Sequence, residues 1–319
     1  MPQKMRVVNH GHYNKLLKER GKVFSIVNRK LSSQVNNSLR IGKGQPKYSN
    51  SFIKTMYAVG YILKLPLRQL CGFFEDYAKQ HNFNVDIPDF TTLSKRLKIM
   101  DIKIVDKRPK YADDKELELL IDSTTISIYA NTVHHAKKNA KYRKYFRYEQ
   151  TRKMHISLNQ SSKNVNGFLY TKGTFVDHRG LTPLIEDAVL NNQIFSVKAD
   201  SAYDRRPCYE TCHKYQIKPI IHPIATATIK KQPMFSERNA AINIIKSFDN
   251  QEDGVIVWKK QMQYGKRSYS ESFFSRFKNI FGSSVKNKDE HNRKNELMIK
   301  CNILNEFNLL GLPKFELVT

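Results

Sequence analysis

Cysteine is scarce in this chain. Cys71, Cys208, Cys212 and Cys301 are the only four in 319 residues, and none forms a Cys-x-x-Cys pair, which excludes a disulfide framework. Cys208, Cys212 and His213 match no common zinc spacing, so reduced packing cysteines are the ordinary reading. Glycine (13) and proline (11) are too few for a collagen-like or low-complexity chain. A hydrophobic content of 40% with 11% aromatics excludes a wholly disordered one. No apolar run approaches the roughly 18 residues of a membrane span. The opening MPQKMRVVNHGHY also lacks the apolar segment of a secretory signal. The expectation is a globular protein of the cytoplasm, with one large or two modest domains.

Acidic side chains are the last shortage: 29 Asp and Glu face 55 Lys and Arg, a net charge of +26. That excess points to a polyanionic partner. Residues 1–110 carry 22 basic and 7 acidic side chains, so the excess is greatest at the front. A nucleic-acid backbone fits such a field better than a membrane surface, because no Lys/Arg-faced amphipathic helix of the interfacial kind is present.

Two textures follow one another. Residues 1–110 read as a basic, mainly helical DNA-binding region. The segment SFIKTMYAVGYILKLPLRQLCGFFEDYAKQ has helical apolar spacing interrupted at Leu65-Pro66, which predicts two helices. A further helix starts at Asp89 or Thr91, each a capping residue type. Residues 111–319 read as an α/β domain with a mixed sheet and a C-terminal helical tail. KELELLIDSTTISIYA, RKMHISLNQ and GFLYTKGTFV alternate as strands, with a turn over Lys163–Gly167. LTPLIEDAVLN predicts a helix with Thr182 near its N-cap and Pro183 at its first position. NQIFSVKAD, RRPCYETCHKYQ and IKPIIHP then read as strand, helix and strand.

Between the first two strands, KKNAKYRKYFRYEQTRK carries Lys137, Lys138, Lys141, Arg143, Lys144, Arg147, Arg152 and Lys153 against Glu149 alone, interleaved with Tyr142, Tyr145, Phe146 and Tyr148. A solvated charged face is the bland reading; phosphate contacts with aromatic stacking suit this density better.

Three acids stand where a metal site would want them: Asp122 in the first strand, Asp200 ending the fourth, and Glu271 in the helical stretch YGKRSYSESFFSRFKNIF. Phosphodiester chemistry calls for hard oxygen ligands holding two Mg²⁺ ions about 4 Å apart. Taken singly, an Asp at a strand end is more often a cap or turn residue. Tyr264, Arg267, Glu271 and Lys278 fall within an arc of about 60° if the stretch is one α-helix. An ordinary i,i+4 pair between Arg267 and Glu271 is the competing reading, worth a few tenths of a kcal/mol.

Tyr264-x2-Arg267-x3-Glu271-x6-Lys278 resembles the Tyr-Arg-Glu-Lys signature of bacterial insertion-sequence transposases of the DDE type, in the group of insertion sequences four and five. LELLIDSTTISIY is similar to the block of the first catalytic aspartate, and VKADSAYDRR to that of the second, with Asp200 followed by Tyr203 and Asp204. RKMHIS resembles the family's Lys-x-His strand, here Lys153 and His155. HYNKLLKERGKVFS, GKGQPKYSNSFIKT, LPLRQLCGFF, IPDFTTLSKR and ILNEFNLLGLPKF resemble further blocks, so the likeness runs nearly end to end.

The resemblance implies an RNase H-like catalytic domain with two Mg²⁺ ions (Mn²⁺ as substitute) on Asp122, Asp200 and Glu271. It implies an enzyme that binds terminal inverted repeats, cleaves element ends and joins the 3′ hydroxyls to target DNA, as a homodimer or higher oligomer on double-stranded DNA in the bacterial cytoplasm at the nucleoid. Tyr264, Arg267, Lys278, Lys141, Arg143, Lys144, Arg147 and Lys153 would then face DNA. An inactive DNA-binding relative and an RNase H-like nuclease without strand transfer are the rival expectations. The short stretch between the last strand and Glu271 leaves little room for a separate insertion domain.

Overall fold

A computed structural model describes residues 5–23, 25, 27–28, 31–32, 47–106, 117–128 and 151–317. They form a mixed α/β protein with two compact units, one of residues 1–103 with 287–319 and one of residues 104–286.

In the first unit, β1 (Met5–Val7) is followed by α1 (His10–Arg20), α2 (Asn50–Leu63), α3 (Leu67–Gln80) and α4 (Phe90–Ile99). The break predicted at Leu65-Pro66 is present: Lys64 ends α2 in the left-handed region and Pro66 caps α3. Asp89 is the cap of α4, its side chain accepting from the Thr92 backbone at 2.7 Å. Phe52, Ile53, Met56, Leu70, Phe74, Leu93 and Leu97 are buried in this unit.

The C-terminal helix α10 (Glu290–Leu310) was expected as a tail of the domain beginning at residue 111, but it packs in this first unit. The reason lies in its asparagines. Asn295 donates to the carbonyls of Leu97 and Met100, satisfying groups that the end of α4 leaves open. Asn292 donates to Ser94, and β8 (Phe315–Leu317) pairs antiparallel with β1.

The second unit holds the sheet, in the order β4 (Val165–Lys172), β3 (Thr151–Asn159), β2 (Leu117–Ile128), β5 (Ile194–Ala199), β6 (Lys218–Ile221). The first three strands pair antiparallel and the last two run parallel to β2. α5 (Leu181–Val189) precedes β5 and α6 (Arg206–Lys214) follows it. The turn before β4 is tighter than expected: Lys163 takes a positive φ and the strand begins at Val165. Nor does Thr182 cap α5. A 3-10 turn, Asp177–Gly180, runs straight into the helix, and the Thr182 hydroxyl instead meets that of Thr211 at 2.7 Å.

The odd-numbered residues Leu117, Leu119 and Ile121 of β2, with Val197 and Ala199 of β5, enter the core under α5 and α6. Even-numbered residues, Asp122 among them, therefore project from the opposite face. That face is packed by α9 (Ser268–Phe281), after which β7 (Ser284–Val285) returns to the end of β2. α7 (Ser236–Lys246) and α8 (Gln251–Gln261) fill the stretch before α9 as a helix pair. A Cβ at Gly254 would stand 2.3 Å from the Ile245 carbonyl oxygen, so glycine permits this approach.

Candidate active site

Strand register brings the first two acids together. Leu120 pairs with Lys198 across the parallel β2 and β5, so Asp122 and Asp200, each two residues further on, fall at one level on the same face. This is the carboxyl end of a parallel strand pair, where open α/β sheets place ligands. Asp122 accepts from the Ser123 amide at 2.8 Å and from the buried Ser270 hydroxyl of α9 at 2.7 Å. Asp200 caps the 3-10 turn Ser201–Tyr203 by accepting from the Ala202 amide at 2.9 Å. Burial raises the Asp122 carboxyl above the ordinary carboxylate range, and the charge of Asp200 pushes the same way, against the Ser270, Ser123 and Arg267 contacts.

Glu271 stands in the first turn of α9, where a carboxylate is favoured by the helix dipole. It reaches the site through Arg267. One guanidinium nitrogen bonds Glu271 Oε1, and another lies 3.6 Å from Asp122 Oδ2. Tyr264 and Arg267 do not share the α-helical face expected for the signature. They occupy a 3-10 turn, Tyr264–Arg267, after Gln263 has taken a left-handed conformation. The turn puts Tyr264 inside: its hydroxyl donates to the Ala199 carbonyl at 3.1 Å and its ring packs on Trp258 and His222. Burial, and then the nearby carboxylates against Arg267, push its phenol up to about 12. The expectation that Tyr264 meets a nucleotide thus finds a side chain spent on anchoring the turn beside Asp200. Lys278 remains on the site's face, its ammonium donating to Thr124 at 2.7 Å.

Lys153 lies apart from these residues. It pairs in register with Thr125, an odd-numbered position of β2, so it projects on the face opposite Asp122. There it donates to Asp177 at 2.8 Å, and Asp177 also accepts from the Ser123 hydroxyl at 2.6 Å. Burial opposes ionisation of Asp177, but these bonds outweigh it and hold its carboxyl below the ordinary range. Neighbouring His155 is buried, its Nε2 2.9 Å from the Thr171 hydroxyl, and burial lowers its pKa to about 4. A Cβ at Gly180 would lie 2.8 Å from His155 Nδ1, so only glycine lets the turn close on the ring. Lys141, Arg143, Lys144 and Arg147 lie outside the described residues.

Several working neighbours went unread in the sequence. Ser270 gave no signal among the serines around Glu271, and Asp177 sits in no motif. Asp204, noted only as following Tyr203, forms a buried ion pair with Arg238 at 2.7 Å and accepts from Tyr209 and the Ile224 amide. Cys208 and Cys212 are buried thiols, as packing cysteines would be.

Fold and site together define a mixed α/β protein with a carboxylate site at the end of a parallel strand pair. Two family models described as Transposase DDE domain match residues 18–131 and 113–305, and the chain belongs to the DDE transposase family. Two solved structures resemble it distantly. One is the simian T-cell lymphotropic virus intasome in complex with PP2A regulatory subunit B56 gamma, at 12% identity and TM-score 0.25 over 64% of this chain and 66% of that one, just under two thirds. The other is the Drosophila P element transposase strand transfer complex, at 10% identity and TM-score 0.34 over 90% and 86%. Family membership follows from the sequence match.

The family's chemistry typically uses divalent metal. Asp122, Asp200 and Glu271 suit it in kind, being hard oxygen donors. Among the described residues, however, no group of three or more His, Cys, Asp or Glu is gathered to hold an ion. Arg267 lies on Asp122 and Glu271 instead. Among them, too, no helix is long and apolar enough to cross a membrane.

Proposed function

We propose that this chain is a DNA transposase that binds the terminal inverted repeats of an insertion sequence, cleaves its ends and joins the freed 3′ hydroxyls to target DNA. The observation that supports it best is the strand register that carries Asp122 and Asp200 to one sheet face, where the Tyr264–Arg267 turn brings Arg267 and α9 brings Glu271 and Lys278. The sheet-centred unit is read as an RNase H-like catalytic domain, and the basic N-terminal region as the reader of the repeats.

In cleavage, a water oxygen attacks the end phosphodiester as the bond to the element's 3′ oxygen breaks, leaving a 3′ hydroxyl. In joining, that hydroxyl attacks a target phosphodiester, and a target 3′ oxygen leaves. Asp122, Asp200 and Glu271 would hold the divalent ions, which when bound supply activation of the attacking oxygen and stabilisation of the leaving one. Ser270 and the Ser123 amide orient Asp122; Tyr264, through the Ala199 carbonyl, fixes the turn that carries Arg267 to Asp122 and Glu271. Arg267 and Lys278 are the cations for the phosphates on that face. Lys153, held by Asp177, braces the strand behind Asp122.

The test is a strand-transfer assay with a labelled duplex bearing the element's end and a supercoiled target, with and without Mg²⁺. Wild type should join end to target only with metal, while Asp122→Asn and Glu271→Gln lose at least about 10³-fold of the activity yet still bind the end, since basic surface supplies the affinity. Binding without chemistry in wild type would show an inactive relative. Cleavage without joining would show a nuclease.

A further inference from the structure

Arg267 contacts both Asp122 and Glu271, and among the described residues no other Lys, Arg or His lies within 4 Å of either carboxylate. This is more than a surface i,i+4 pair. The Arg267 side chain is only 21% exposed, and its fork spans carboxylates on two different elements, β2 and the start of α9. Its backbone is fixed, because the turn Tyr264–Arg267 is tied by the Tyr264 hydroxyl to the Ala199 carbonyl. Its Cζ lies 5.9 Å from the Tyr264 ring centroid.

We propose that Arg267 is the resident counter-cation of this site: it holds Asp122 and Glu271 together in the metal-free protein and yields them to a divalent ion when a DNA phosphate takes its guanidinium. The inference rests on the proposed function, since it takes Asp122 and Glu271 as metal donors. Arg267 engages Asp122 Oδ2 and Glu271 Oε1, so a divalent ion held by these carboxylates would have to compete with it. A phosphate offers the guanidinium an equivalent bidentate partner. The competition is thereby relieved only when DNA is present. By linkage, DNA must then tighten metal binding by the same factor as metal tightens DNA binding. Arg267 is in this sense a positioning residue for the carboxylates, and its effect is read in metal affinity rather than in turnover.

The experiment measures Mn²⁺ binding to the full chain by the electron paramagnetic resonance signal of the free ion, with and without a short duplex carrying the element's end. In wild type the duplex should tighten Mn²⁺ by at least about tenfold, a coupling of ordinary allosteric size. Arg267→Gln should bind Mn²⁺ at least about tenfold tighter than wild type without DNA, and the duplex should then add little. Should that variant not fold, Arg267→Lys serves, because it keeps the charge and loses the fork; tighter Mn²⁺ binding than wild type supports the proposal. Equal Mn²⁺ affinity of the folded variant and wild type in the absence of DNA overturns it. Asp122→Asn and Glu271→Gln separate the two levels. If they lose Mn²⁺ while Arg267→Gln matches wild type, the counter-cation role alone fails. If they bind Mn²⁺ like wild type in every condition, the carboxylates are not metal donors, and the functional reading fails with it.

Discussion

The Lys153 ammonium sits 2.8 Å from Asp177 Oδ1, and Asp177 in turn receives the hydroxyl of Ser123, the residue next to Asp122. A lysine that its sequence block marks for DNA is thus engaged behind the strand that bears the first aspartate. Lys153→Gln should leave the slope of log affinity against log salt for end DNA unchanged, whereas losing one phosphate contact would lower it by about 0.9. A double-mutant cycle with Asp177→Asn should give a coupling of about 1 kcal/mol, the upper range for a partly screened pair. Salt titrations of binding and urea unfolding of the four proteins check both numbers.

The Ser270 hydroxyl donates to Oδ2 of Asp122, a carboxylate largely withdrawn from solvent. Ser270→Ala removes that donor, which should cost about 1–3 kcal/mol of stability and raise the Asp122 carboxyl further. The acid limb of the pH profile of end cleavage should accordingly move to higher pH. An unmoved limb, with the stability loss present, would mean that Asp122 does not set it.

Asp204 and Arg238 are both buried, and their hydrogen-bonding groups are taken up by each other, Tyr209, the Ile224 amide and the Thr228 carbonyl. Removing either charge strands the other, so Asp204→Ala or Arg238→Met should each lose about 3–5 kcal/mol. The double variant should regain part of that. Urea unfolding decides it, and equal losses in single and double variants would contradict the pairing.

His155 gives the fold a pH dependence. Its folded-state pKa, about 4, lies below the unfolded value near 6.5, so the unfolded chain binds the extra proton between those limits. Its contribution is fully present above about pH 6.5 and is lost as pH falls toward 4, by up to about 3 kcal/mol. His155→Gln should flatten this part of the stability curve relative to wild type. Parallel curves from pH 7 to 4 would show that the ring is not held neutral.

Local chemistry was enough for much of this molecule. Strand alternation around Asp122, the Pro66 break, the Asp89 cap and the ordered aspartate blocks are short-range patterns, and their physics operates within a few residues. That is why the elements and the mixed sheet were legible from residue types and spacing, and why short motif blocks were enough to carry the family resemblance. Tertiary structure decided the rest, because it depends on partners far along the chain. Only strand register set Asp122 level with Asp200 and sent Lys153 to the other face. Only the left-handed Gln263 turned the Tyr264–Arg267 segment out of the helix, burying the phenol and laying the guanidinium across two carboxylates. And only the open carbonyls at the end of α4 drew the C-terminal helix into the N-terminal unit, a pairing across some two hundred residues that no local pattern encodes.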